Sequence, residues 1–217
     1  MSRPPSPRGT DGLSESAVQV EPTVPSIGLT GGMGAGKSTA LRALERLGAA
    51  VQSTDAVVHE LYEGTRLRDA VVARWGAEVA PNGKVDRAAV AERAFADEGE
   101  RAWLEGTIWP LVGERIAVWL EQARAMRPAP RATVIEVPLL FEAGMEGMYD
   151  ATIAVVASEE LRAQRAAGRG HALADARAAR QLSQEEKARR ATYVVRNDGS
   201  EEDLERELSG VLDKLGR

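Results

Sequence analysis

Ser26-Ile27-Gly28-Leu29-Thr30-Gly31-Gly32-Met33-Gly34-Ala35-Gly36-Lys37-Ser38-Thr39 decides the reading of this chain. A short apolar run, Ser26 to Thr30, has the look of a buried strand, and Leu41, Leu44 and Leu47 then recur at helical spacing until Gly48. Between strand and helix, Gly31-x-x-x-x-Gly36-Lys37-Ser38 satisfies the full phosphate-loop pattern. Glycines at 31, 34 and 36 let the backbone fold around a phosphate with several N–H groups pointing inward. A helix beginning near Lys37 adds its N-terminal N–H groups and positive dipole end. The Lys37 ammonium can reach the β- and γ-phosphates of a nucleotide, and the Ser38 hydroxyl can ligate Mg²⁺. Ala35 and Thr39 complete the candidate nucleotide-binding loop.

The pattern continues outward from the loop. Ala49 to Ser53 reads as a second short strand ending at Thr54-Asp55, and Val57, Val58 and Leu61 resume a helical spacing. From about 64 to 128 the chain is helical in pattern, with breaks expected at Gly76, at Pro81-Asn82-Gly83 and at Pro110. All four tryptophans, at 75, 103, 109 and 119, fall here. Ala132 to Val137 and Ala151 to Ala157 read as buried strands, Tyr193 to Val195 as the last strand, and 201–215 as a closing helix. Strands alternating with helices predict an α/β fold with a mostly parallel sheet covered on both sides. An Arg-rich helical stretch from 159 to 190, interrupted at Gly168 and Gly170, has the makings of a lid.

Composition narrows the class. The chain has 217 residues, 28 basic against 33 acidic, for a net charge of −5, so a protein held to nucleic acid by a basic field is not expected. With 43% apolar residues it can fill a core, yet no apolar run approaches the roughly 20 residues of a membrane helix. The absence of cysteine removes thiol catalysis, disulfides and Cys-ligated zinc, and fits a reducing compartment. A cytoplasmic, globular, single-domain protein spanning 24–217 is the expectation. Residues 1–23, rich in Pro, Ser and Gly without an apolar segment, are expected to form a disordered leader. A phosphate loop alone admits a kinase, a GTPase switch or a motor ATPase. No Asn-Lys-x-Asp guanine-reading element is present, and a helical insertion with an Arg-rich lid suits a small-molecule kinase.

Several elements together make the chain resemble the dephospho-coenzyme A kinases. They are the loop itself, Asp55, Trp75-Gly76, Gly83-x-Val85-Asp86-Arg87, Phe95, Pro138-Leu139-Leu140-Phe141-Glu142, Gln164-Arg165, Arg169, Gln181, Lys187 and Asn197-x-Gly199. The likeness spans about 26–215. It implies a phosphate-loop-type five-stranded parallel sheet of order 2-3-1-4-5, with a helical domain for the acceptor near 64–128 and a lid near 159–190. It also implies phosphorylation by ATP, with Mg²⁺, of the ribose 3′-hydroxyl of dephospho-coenzyme A, the last step of coenzyme A synthesis. The sequence departs from the family at Trp109, where a His usually precedes Pro110, at Ser53 and at Thr192, where the family has aspartates.

The resemblance and the residue chemistry suggest roles. Asp55, just past a strand end, either accepts the hydroxyl proton and assists the metal through water, or caps the next helix. Lys37, Arg165 and Arg169 would stabilise charge on the migrating phosphoryl, the two arginines lying one helical turn apart; a solvated charged face is the alternative. Asn197 and Gly199 would edge the adenine pocket. Asp86, Arg87, Pro138, Leu139, Leu140 and Glu142 would contact the acceptor. An exposed helix-start salt bridge is the competing account for Asp86-Arg87, and plain packing competes for the leucines. Glu136 stands either in the metal's outer shell or as a structural carboxylate. The tryptophans read mainly as core, one of them free to stack on the acceptor. His59 and His171 are expected in solvent. Another nucleotide or small-molecule kinase, and a regulatory NTPase switch, remain as alternatives.

Overall fold

A computed structural model describes residues 24–166 and 181–216 of the chain. The expectations for residues 1–23, and for Gly168, Arg169, Gly170 and His171, lie outside these residues. The strands are β1 (Ser26–Gly31), β2 (Ala50–Ser53), β3 (Thr133–Glu136), β4 (Ala151–Val156) and β5 (Tyr193–Arg196). They form one sheet of order β2-β3-β1-β4-β5, every pairing parallel. Parallel neighbours need crossover helices, which is why both faces are covered and why these strands read as unbroken apolar runs.

Alternation along the strands sorts the side chains into two cores. Ile27 and Leu29 of β1, Val134 of β3 and Ile153 and Val155 of β4 pack with α1 (Lys37–Arg46) and the C-terminal helix, Glu201–Leu215. On the other face Ile135, Val137, Leu140 and Phe141 meet Ile116, Trp119 and Leu120. The helical layer, α2 (Thr54–Glu63), α3 (Thr65–Trp75), α4 (Arg87–Ala96) and α5 (Glu98–Ala125), has its own core of Val57, Leu61, Leu67, Val71, Val90, Ile108, Leu111 and Val112. Trp75 and Trp103 meet edge to face at 5.0 Å within it, and the Trp75 indole N–H donates to Glu100. Beyond β4, α6 is Glu159–Ala166, α7 is Gln184–Arg190 and α8 is Glu201–Leu215.

One expected break is overturned. Helix α5 continues through Pro110 to Ala125. A proline there forfeits one hydrogen bond and crowds the carbonyl four residues back. That residue is Gly106, and burial of Ile108, Leu111 and Val112 against the helical core holds the segment together. Among the described residues no helix is long and apolar enough to cross a membrane.

Candidate active site

The phosphate loop lies between the end of β1 and the start of α1, as the glycine spacing predicts. Gly34 and Gly36 have φ of 74° and 93°, left-handed conformations that side chains resist. Space forbids a side chain as well. A Cβ on Gly34 would lie 2.4 Å from the Arg162 carbonyl oxygen, and one on Gly36 1.9 Å from Asn197 Nδ2. The loop is braced from outside: Asn197 Nδ2 donates to the Ala35 carbonyl at 2.9 Å and Arg162 Nε to the Met33 carbonyl at 3.1 Å. Lys37 Nζ donates to the Gly31 and Gly32 carbonyls at 3.1 and 3.3 Å. Its ammonium therefore already lies inside the loop, while Ser38 stands exposed at the helix start.

A cavity of about 290 Å³ opens beside the loop, lined by Gly34, Gly36, Thr39, Arg165, Asn197, Gly199 and Glu201. Arg165 sends both terminal nitrogens to the Asn197 carbonyl, each at 3.2 Å. Arg165, Asn197 and Gly199 thus come together at this cavity. Arg162, one turn before Arg165 on α6, is an additional group against the loop; the run of arginines announced it only as one charge among several.

A larger cavity, about 630 Å³, lies between the helical layer and the edge of the sheet. Asp55 and His59 of α2, Arg87 of α4, Arg101 and Trp109 of α5 and Pro138 after β3 are among its lining groups. Asp55 is in the first turn of α2, whose cap position is Ser53, so it is not the helix cap. His59 is exposed, as expected, and also lines the cavity, where its Nδ1 accepts from the Arg87 guanidinium. Phe95 and Trp109 expose 50% and 45% of their surface along this wall, whereas Trp75 and Trp103 pack in the helical core.

Three residues expected at the acceptor do not line this cavity. Asp86 caps α4, accepting from the N–H groups of Ala88 and Ala89. Leu140 is fully buried in the core under the sheet. Glu142 Oε1 pairs with Lys187 Nζ at 3.0 Å and accepts the Leu182 N–H at 2.7 Å. Short polar and apolar runs following a strand do not reveal which members turn inward. Pro138, Leu139 and Arg87 do reach the cavity.

The two cavities share a structural joint. The Val137 N–H donates to the Leu29 carbonyl at 2.8 Å, Thr30 Oγ1 lies 3.4 Å from the Pro138 carbonyl, and Thr54 Oγ1 donates to the Glu136 carbonyl at 3.0 Å. The wall of the larger cavity is thereby bonded to the strand that enters the phosphate loop. A phosphate loop with a small cavity at its side thus stands next to a second, roomier cavity.

The family model for dephospho-CoA kinase matches residues 25–203. The chain belongs to the dephospho-CoA kinase family. A dephospho-CoA kinase of Anaeromyxobacter dehalogenans is 41% identical over 87% of this chain and 89% of its own length. One of Deinococcus radiodurans is 40% identical over 94% and 99%. The crystal structure of TT1252 from Thermus thermophilus, 36% identical, superposes with a TM-score of 0.71 over 88% of this chain and 98% of that one. Family membership covers the sheet, the helical layer and both cavities.

Proposed function

We propose that this protein transfers the γ-phosphoryl group of ATP to the ribose 3′-hydroxyl of dephospho-coenzyme A, giving coenzyme A and ADP, the final step of coenzyme A synthesis. The observation that carries the reading, beside family membership, is the hydrogen-bonded joint between phosphate loop and acceptor-sized cavity. A cavity of about 630 Å³ is within the range of small-molecule sites.

In this reading the Gly31–Thr39 loop grips the ATP phosphates and the adenine occupies the cavity edged by Asn197 and Gly199. The acceptor enters between α2, α4 and α5, with Arg87, His59 and Arg101 toward its pyrophosphate. The 3′-oxygen attacks the γ-phosphorus in line, the bond to the β,γ-bridging oxygen breaks, and ADP departs. Asp55 orients the hydroxyl and takes its proton as the bond forms. Lys37, already within the loop, neutralises charge on the migrating group, and Arg165 supports it from α6. The helical layer near 64–128 serves as acceptor subdomain and the 159–190 stretch as lid, with Arg169 expected to act with Arg165.

Magnesium fits the donor set. Ser38 supplies a hydroxyl at the helix start, and Glu136 ends β3 directly beside Leu29 in register, both oxygen donors of the kind this cation takes. Bound with ATP, the ion would supply charge neutralisation on the β- and γ-phosphates. The reading has a small molecule as partner, and the net charge of −5 argues against a partner held by a basic field.

The test is an ATP-consumption assay coupled to product analysis across a panel of acceptors. Turnover with dephospho-coenzyme A and formation of the 3′-phosphorylated product is expected. Turnover confined to an adenylate or shikimate-like acceptor, or slow hydrolysis with no phosphorylated acceptor, would overturn the assignment.

A further inference from the structure

Lys187 is one of four lysines in the chain, and it is completely buried, with 0% of its side chain exposed. A buried ammonium is costly unless all its protons are accepted. Here Nζ donates to the Pro138 carbonyl at 2.6 Å and to Thr30 Oγ1 at 3.4 Å, and it pairs with Glu142 Oε1 at 3.0 Å. Three donors meet three acceptors, one at the end of β1 and two in the segment that follows β3.

Those acceptors are not equivalent in position. Thr30 is the last residue before Gly31 opens the phosphate loop. Pro138 lines the acceptor cavity. Glu142 also receives the Leu182 N–H, just ahead of α7. An apolar side chain of similar volume would fill this space at lower cost to stability, because replacing a buried ion pair by well-packed apolar groups is often neutral or favourable. What an apolar side chain cannot do is hold a carbonyl oxygen at 2.6 Å.

Resting on the acceptor reading above, we propose that Lys187 is a positioning residue for phosphoryl transfer: it fixes the Pro138 carbonyl against the end of β1, and so sets where the acceptor wall stands relative to the phosphate loop. Displacement of a reacting group by about 1 Å costs on the order of 10²-fold in rate, so a clamp between the two walls is worth a buried charge. Burial lowers the Lys187 pKa, and the hydrogen bond and charge of Glu142 oppose that change. Helix α7 does not depend on this residue alone for docking. Arg190, three residues on, pairs with Glu146 and lies over the Phe141 ring at 5.0 Å.

The experiment compares Lys187→Met with the double variant Lys187→Met/Glu142→Gln. The single variant leaves Glu142 without its cation and is expected to melt at lower temperature. The double variant removes that stranded charge while the glutamine still accepts the Leu182 N–H, and its melting temperature should recover. Acceptor kcat/KM should nevertheless stay about 10- to 100-fold below wild type in the double variant, with the ATP KM within about two-fold. Recovery of acceptor kcat/KM together with melting temperature would overturn the proposal, as would equal losses for both substrates. If the single variant does not fold, the double variant decides the matter alone. Failure of the wild-type enzyme to phosphorylate dephospho-coenzyme A would strike the functional reading instead, and is read before either variant.

Discussion

At the scale of single residues, the proposed reaction would make different demands of Asp55 and Arg165. Asp55 reaches the larger cavity from the first turn of α2, where Ser53 holds the cap position. Its replacement by asparagine keeps the shape and removes both basicity and charge. Asp55→Asn should therefore lower kcat by about 10²-fold or more, the scale of lost general-base assistance, with a small change in ATP KM. A kcat within a few-fold of wild type in steady-state assays would reduce Asp55 to a spectator. Arg165, by contrast, forks onto the Asn197 carbonyl and so braces the edge of the smaller cavity. Arg165→Ala should raise ATP KM about ten-fold as well as lowering kcat, since a bond from a charged donor is worth roughly 1.5–3 kcal/mol. Arg165→Lys, with a single-point donor, should recover only part of the ATP KM. Unchanged ATP KM in both variants would mean that the fork is incidental.

At the scale of elements, the sheet was the most legible part of the molecule. Strands covered on both faces write themselves as apolar runs, and Ser26–Gly31, Thr133–Glu136 and Ala151–Val156 all stand within a residue or two of where those runs placed them. Proline is a local signal, and at Pro110 it lost to the burial of Ile108, Leu111 and Val112, which only tertiary packing supplies. Polar partners across the fold were hidden for the same reason. Nothing in the charged run around Lys187 marks it as the buried member, nor does Asp86 announce that its carboxylate is spent on the cap of α4. The start of the sheet offers a pH-dependent case. Asp150 Oδ2 accepts from both the backbone N–H and the hydroxyl of Ser26, each at 2.7 Å, tying the entry of β4 to that of β1. These bonds, the backbone one foremost, hold the Asp150 carboxyl below the usual aspartate range. A carboxylate with a lowered folded pKa adds stability above its unfolded pKa of about 4, and that stability disappears as the pH falls through the folded pKa. Asp150→Asn should thus cost about 1 kcal/mol or less at pH 7, the lower end reflecting solvent screening, and almost nothing near pH 2. Urea melts at the two pH values check this; a difference independent of pH would exclude the charge as its origin.

At the scale of the whole molecule, the proposed function divides the fold: the sheet edge would supply the chemistry and the helical layer the acceptor's surroundings. That division explains why the four tryptophans behave differently. Trp75 and Trp103 close the helical core, and Trp119 packs beneath the sheet. Trp109 stands where α5 faces the large cavity, 45% exposed, on the same wall as Phe95. Two large aromatic surfaces left open to a cavity have little to give the fold and much to give an adenine or an apolar arm, since stacking on a base is worth about 1–3 kcal/mol. Trp109→Ala should therefore raise the acceptor KM by about ten-fold or more while ATP KM stays near wild type. The melting temperature should move little, because a half-exposed side chain contributes little to the core. Tryptophan fluorescence gives a second readout. Acceptor titration should quench the wild-type signal, and Trp109→Phe should remove most of the quench while keeping an aromatic face for binding. If the quench survives in Trp109→Phe and the acceptor KM of Trp109→Ala is unchanged, the aromatic wall is packing that happens to be exposed, and the acceptor is gripped by the polar groups of α2 and α4.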